Sequence, residues 1–217
     1  MKNIIFVTGT NTGVGKTFFI CNLLKRLYEK YPKLKKKVIG YKLIETGVRL
    51  YPEDALRISK INGFYIPPLY TFIYPLAPFD AANLEKRTIK KEKVIEKLKE
   101  LSKKFDLVFI EGAGGIEVPL FPFYTFLDLV KELNLKTILV SENKLGTINN
   151  TLLSAKVLKD NLFAIYLNTR KDEQDISQQV NLRTLNLYLR KKYMINAFVT
   201  DSIDYIIDRI ISNFSFQ

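Results

Sequence analysis

The residues best equipped for chemistry stand together near the start of the chain. Lys16 and Thr17 close the stretch Thr8-Gly9-Thr10-Asn11-Thr12-Gly13-Val14-Gly15, which is made of small, flexible and hydroxyl-bearing residues. Such a stretch suits phosphate binding. Backbone N–H groups in a glycine-rich turn can point inward, and a helix that starts there adds partial positive charge. A lysine at the end of the turn reaches the outer phosphates of a nucleotide, and the neighbouring hydroxyl can bind Mg²⁺. The candidate nucleotide contacts are therefore Thr10, Asn11, Thr12, Gly13, Val14, Gly15, Lys16 and Thr17. The pattern is a variant. G-x-x-x-x-G-K-[ST] ending at Thr17 would need glycine at position 10, where Thr10 stands; the glycine comes one earlier, at Gly9. The flanks supply the context that the motif requires. Ile4-Ile5-Phe6-Val7 reads as a buried strand, and Phe18, Ile20, Leu23, Leu24 and Leu27 recur at helical spacing.

Further polar residues close apolar segments. Phe105-Asp106-Leu107-Val108-Phe109-Ile110 reads as a buried strand and runs into Glu111-Gly112-Ala113-Gly114-Gly115. An acid there is placed to assist a metal ion beside the phosphate loop, and glycines let backbone approach a ligand closely. Val38-Ile39-Gly40-Tyr41-Lys42-Leu43 reads as a second strand, delivering Lys42 and then Glu45-Thr46-Gly47 at its exit. In open α/β sheets ligands bind outside the carboxyl ends of strands. That makes Lys42 and Thr46 site candidates, with a plain surface lysine as the alternative for Lys42. Asp54 lies in the first turn of a short helix, where a carboxylate ordinarily just complements the helix dipole. Asn143 to Asn150 forms a polar turn before a helix, a second possible anion site.

The elements that must position these groups alternate strand and helix. Helices are expected over 16–30, 92–104, 126–133, 176–192 and 202–211, and strands over 137–141, 163–167 and 195–200, with a helix from the polar turn to Lys159. Residues 63–82, rich in proline and aromatics, read as a long irregular connection that could wall a site. The fold class is α/β: a mostly parallel, doubly wound sheet with helices on both faces. The 217 residues suit one domain spanning 1–217. No apolar run is long enough for a transmembrane helix. The first strand follows Asn3 directly, so neither a signal peptide nor a membrane partner is expected, and the protein is placed in the cytoplasm. Cys21 is the sole cysteine, which excludes an internal disulfide, and the absence of histidine excludes His-based triads and metal sites. The net charge of +12 is spread along the chain, with small clusters at 33–37 and 90–93, and reads as solvated surface, not as a nucleic-acid footprint.

Taken together, these pieces resemble the dethiobiotin synthetase family. The matching residues are Val7 to Thr17, Gly40-Tyr41-Lys42 with Glu45-Thr46-Gly47, Asp54-Ala55, Glu111 to Gly115 with Val118-Pro119-Leu120, and Lys144-Leu145-Gly146-Thr147-Ile148-Asn149. They cover roughly residues 1–170. The resemblance implies a phosphate-loop NTPase-like fold and an ATP- and Mg²⁺-dependent closure of the ureido ring on 7,8-diaminononanoate. One amine takes up CO₂, the carbamate is phosphorylated by ATP, and the second amine displaces phosphate.

Carried onto this chain, the resemblance makes Lys16, Lys42 and Thr12 catalytic. Thr17, Asp54 and Glu111 would hold Mg²⁺, and Asn168 would face the adenine. Thr46, Lys42, Glu111, Gly112, Gly114 and Gly115 would contact substrate. The substrate tail would reach Leu145, Gly146, Thr147 and Asn149 of a second subunit, so a homodimer is expected. Departures are Phe79 and Asn150, where members often have histidine, and Ile195 to Thr200, which lacks the family's usual base-contacting segment. The last leads to an expectation of relaxed base choice. A cobyrinate amidase-like ligase would need a glutaminase domain with a nucleophilic cysteine, for which this chain has neither the length nor a suitable cysteine. A partitioning or metal-insertion ATPase would carry a lysine five residues before the loop lysine, where Asn11 stands.

Overall fold

A computed structural model describes residues 1–170 and 175–216. The elements follow in order: β1 (Ile4–Gly9), α1 (Lys16–Lys30), β2 (Val38–Lys42), β3 (Ile44–Thr46), α2 (Glu53–Asn62), β4 (Tyr70–Phe72), α3 (Pro78–Leu84), α4 (Lys91–Lys104) and β5 (Leu107–Gly115). Then come β6 (Pro119–Phe121), β7 (Tyr124–Thr125), α5 (Phe126–Glu132), β8 (Lys136–Glu142), α6 (Thr147–Leu158), β9 (Leu162–Asn168), α7 (Gln178–Lys191), β10 (Phe198–Thr200) and α8 (Ile203–Asn213). Six strands form one sheet in the order β10-β9-β8-β1-β5-β2, and every neighbouring pair is parallel.

A sheet covered on both faces demands strands that are apolar on both faces. The strands of this sheet meet that demand, with alternate side chains feeding two separate cores. Ile4, Phe6, Val108, Ile110 and Ile165 join the core packed by α4, α5, α6 and α7. Ile5, Val7, Leu107, Phe109 and Ala164 join the core packed by α1, α2 and α8. The chain leaves β1 toward β2 and β5 on one side, then crosses to β8, β9 and β10 on the other. Ligand crevices of open α/β sheets form at such a reversal. Here it lies at the carboxyl ends of β1 and β5, where Lys16 and Glu111 were expected.

The structure corrects several boundaries. β2 stops at Lys42, and Ile44–Thr46 turns away to pair in parallel with Tyr70–Phe72. The stretch 63–82 therefore holds a strand and the start of α3, a long-range pairing that local composition does not announce. β5 runs on through Gly115, which pairs with Gly9 after a register shift, because glycines there leave room for the two backbones. A small antiparallel pair, β6 with β7, was not expected.

β2 is an edge strand, and an edge leaves backbone groups that need partners. Asn62, at the end of α2, meets part of that need. Its amide accepts from the Gly40 N–H at 3.1 Å and donates to the Gly40 carbonyl at 2.9 Å. Asn62 is buried, so Asn62→Ala strands two buried backbone groups. We expect a loss of about 2–3 kcal/mol, the usual cost of buried polar groups left unsatisfied. Urea denaturation checks this; an unchanged midpoint would remove Asn62 from the account of how α2 is held.

Candidate active site

The loop after β1 explains its own variant spacing. A Cβ on Gly9 would come 2.7 Å from Val14 Cγ2 and 2.8 Å from the Asn11 carbonyl, so a side chain has no room at position 9. Position 10 is permissive because Thr10 faces β8: its N–H donates to the Val140 carbonyl at 3.0 Å, and its hydroxyl lies 3.3 Å from that of Ser141. Gly15 caps α1 with φ +97°, a conformation that favours glycine. A Cβ there would also strike the Asn168 amide at 2.3 Å. No side chain caps α1 and no acid lies in its first turn. Its N-terminus is left to attract an anion.

Lys16 is 7% exposed and donates to the Asn11 carbonyl at 3.2 Å. Burial lowers its pKa to about 8, Glu111 and Asp54 opposing this and Lys42 adding to it. Across the cleft, Lys42 lies 2.5 Å from Glu111 Oε1 and 2.8 Å from Asp54 Oδ2. Burial works against the Lys42 charge, but the two carboxylates outweigh it and hold the pKa above the ordinary lysine value. Burial would raise the Asp54 pKa, but the Lys42 charge and hydrogen bonds from Lys42 and Thr17 bring it below the usual range. The Thr17 hydroxyl donates to Glu111 Oε1 at 2.9 Å. Glu111 Oε2 is buried with no hydrogen-bond partner among the described residues.

These groups floor a cleft of about 640 Å³. One wall is Pro75-Leu76-Ala77-Pro78, so the proline-rich connection does border the site. Of the residues singled out in the sequence, Thr12, Gly13, Gly15, Lys16, Thr17, Lys42, Thr46, Asp54, Glu111 and Gly114 line the cleft. Thr10, Asn11 and Val14 shape the loop from outside that lining. Gly112 faces inward, where a Cβ would meet Phe6 at 2.7 Å, and Gly115 lies against Gly9. Asn168 braces the loop, its amide donating to the Val14 carbonyl at 3.0 Å. The segment from Leu145 to Asn149 opens α6 outside the cleft. Thr147 is buried there with its hydroxyl 2.7 Å from Ser141 Oγ, while Leu145 and Asn149 are exposed.

Two residues at the site have roles that the sequence did not assign, Glu45 having been named without one and Arg170 not at all. Glu45 accepts from the N–H groups of Asp54 and Ala55 at 2.9 and 3.1 Å, so it caps α2 and fixes Asp54. Arg170 donates to the Gly13 carbonyl at 3.1 Å and pairs with Glu142 at 2.7 Å, clasping the loop from the end of β9. Its position two residues past Asn168, at the exit of a strand, was the available signal.

A strand, phosphate loop and helix at the reversal point of a parallel sheet, with a buried acid on the adjacent strand, define a phosphate-loop NTPase-type protein. The family model described as an AAA domain matches residues 3–195. An ATP-dependent dethiobiotin synthetase of Aquifex aeolicus is 40% identical over 82% of this chain and 80% of its own length. A second, from Pasteurella multocida, is 35% identical over 88% of this chain and 93% of its own. Among solved structures, the MinC:MinD cell division protein complex of Aquifex aeolicus is similar at a TM-score of 0.46 and 20% identity, over 91% of this chain and 79% of that one. The chain belongs to the ATP-dependent dethiobiotin synthetase family.

Proposed function

We propose that the cleft closes the ureido ring of dethiobiotin from 7,8-diaminononanoate, CO₂ and ATP. The family supplies the reaction, an ATP-dependent ligation. The observation that carries it onto this site is the pairing of two buried lysines, Lys16 on the loop and Lys42 opposite it, around one cleft. An amine of the substrate adds to CO₂ and loses a proton, giving a carbamate. The carbamate oxygen attacks the γ-phosphate and ADP leaves. The second amine attacks the carbamoyl carbon, and phosphate departs. Each step gathers negative charge on oxygen, so fixed cations and oriented N–H groups are what the reaction needs from the protein. Lys16 neutralises the outer phosphates. Lys42 offsets charge on the carbamate and the transferring group. Thr12 and Thr46, both in the cleft, orient the diamine, and the backbone of Glu111 to Gly115 borders it. With no histidine in the chain, the second amine's proton leaves to phosphate or solvent.

The residues fit a magnesium ion. Glu111 Oε2 is a buried oxygen without a hydrogen-bond partner among the described residues, and Thr17 and Asp54 converge beside Glu111. Magnesium is commonly held by one or two carboxylates together with substrate phosphates and waters. Thr17, Asp54 and Glu111 would hold it, and it would supply charge neutralisation on the phosphates. Asn168, against the loop, is assigned to the adenine side, and relaxed base choice remains the expectation. We take 1–217 as one ligase domain, since both cores share one sheet. No described helix is long and apolar enough to cross a membrane. A reaction that consumes ATP and a small soluble diamine is assigned to the cytoplasm.

ATP turnover tests this reading against a nucleotide-switch protein. Hydrolysis should require both diaminononanoate and bicarbonate; turnover indifferent to both would refute it.

We further assign the substrate tail to the start of α6 in a second copy, which makes the working form a homodimer. A helix N-terminus favours a carboxylate. Thr147 is too deeply hydrogen-bonded to probe this, whereas Asn149 is exposed and in the first turn. Asn149→Asp is expected to raise KM for the diamine about five- to tenfold through like-charge repulsion, the scale of about 1 kcal/mol near a helix end. ATP affinity should not move. Mass in solution should be that of a dimer; a fully active monomer would end this part of the proposal.

A further inference from the structure

The floor of the cleft holds two carboxylates whose charges are already matched. Lys42 Nζ reaches Glu111 Oε1 at 2.5 Å and Asp54 Oδ2 at 2.8 Å, with Lys42 only 6% and Glu111 only 1% exposed. These are the carboxylates assigned above to a divalent ion. The same Glu111 oxygen also takes the Thr17 hydroxyl, while its other oxygen is buried without a hydrogen-bond partner among the described residues. One side of Glu111 is therefore fully engaged and the other is not. Two carboxylates this close, both ionised, need a cation between them. A second cation at the same oxygens would repel the first strongly, because little water lies between to screen them.

We propose that Lys42 is a placeholder cation: its ammonium holds Asp54 and Glu111 until a divalent ion arrives with the nucleotide, and is then turned out into the cleft toward the transferring phosphoryl group. The proposal deepens the function assigned above and rests on it. Lys42 is the last residue of β2, so its flexible stem pivots on fixed backbone, and it borders the cleft already. The stem's reach is what allows one ammonium to serve two places. Two consequences follow. The ion binds weakly without nucleotide, because it must displace an ammonium from the two carboxylates that hold it. Nucleotide and ion then favour each other, since the phosphates receive both cations. Loading the ion becomes the event that frees the catalytic lysine.

The test reads metal binding, not turnover. Mn²⁺ is titrated into nucleotide-free protein and free ion is followed by electron paramagnetic resonance. Lys42→Met should bind about tenfold tighter than wild type or more, since a competing charge is gone. Asp54→Asn and Glu111→Gln should each weaken binding. Should Lys42→Met fail to fold, the wild-type protein carries a second measurement: the ¹⁵N resonance of the Lys42 ammonium should shift when Mg²⁺ and a non-hydrolysable ATP analogue are added together. Equal or weaker Mn²⁺ binding by folded Lys42→Met overturns the proposal, and so does a Lys42 resonance that stays put at saturation. If the two carboxylate variants bind Mn²⁺ as wild type does, the metal assignment fails and the placeholder falls with it. If they lose binding while Lys42→Met matches wild type, the placeholder alone falls. Neither readout requires the diamine, so failure of the ring-closing reaction is detected separately.

Discussion

Lys16→Ala should reduce ring closure by roughly 10²–10³-fold or more, the scale of removing one fixed stabiliser of developing charge. Lys16 is 7% exposed, and desolvation lowers its pKa to about 8, so the protein bears a cost to keep a cation there. That cost is offset when a polyphosphate arrives, because the ammonium then gains the anion it lacks. At pH 7 the ammonium is charged and ready. Alanine removes the cation, while the loop keeps its shape through Gly9, Gly15 and the brace from Asn168. The variant should therefore fold and lose activity. Steady-state rates together with a thermal melt separate the two outcomes. A folded variant with most of its activity would sink the loop assignment.

Lys42→Gln is expected to lower kcat by roughly 10²-fold or more, again on the scale of one electrostatic stabiliser. ATP affinity should change little, because Lys16 and the loop backbone remain. Glutamine can still hydrogen-bond one carboxylate, which limits collapse of the clamp, but it brings no charge to the carbamate or the phosphoryl group. Removing a charge from a buried cluster also destabilises the protein, since Asp54 and Glu111 lose the ammonium that bridges them. A lowered melting temperature is part of the expected result. If nucleotide affinity falls sharply and turnover at saturation is normal, Lys42 belongs to the nucleotide site and its assigned role is wrong.

The loop and the alternating elements were legible because their signals are local. Ile4 to Val7 and Leu107 to Ile110 are continuous apolar runs, and β1 and β5 begin where those runs do. Gly15-Lys16-Thr17 announces a phosphate loop once a strand precedes it and a helix follows. What stayed hidden depends on partners distant in sequence. The pairing of Ile44–Thr46 with Tyr70–Phe72 is set by chain geometry, not by periodicity. The Lys42 clamp joins residues that are 12 and 69 positions apart, so a sequence reading could name each residue without seeing the ion pair. Arg170 reads as one more surface cation in a chain of net charge +12 until its bond to the Gly13 carbonyl is seen. Gly112 makes room for the Phe6 ring, a contact between residues far apart in sequence that no local pattern announces.

The central claim is that this cleft joins CO₂ to a diamine at the expense of ATP, and it is tested most directly by the product itself. The protein is mixed with diaminononanoate, ¹³C-bicarbonate, ATP and Mg²⁺, and the mixture is analysed by mass spectrometry. The account predicts a species heavier than the diamine by one labelled CO₂ less one water, formed in step with one ADP and one phosphate, and absent when any component is left out. ADP and phosphate accumulating with no labelled cyclic product would contradict it.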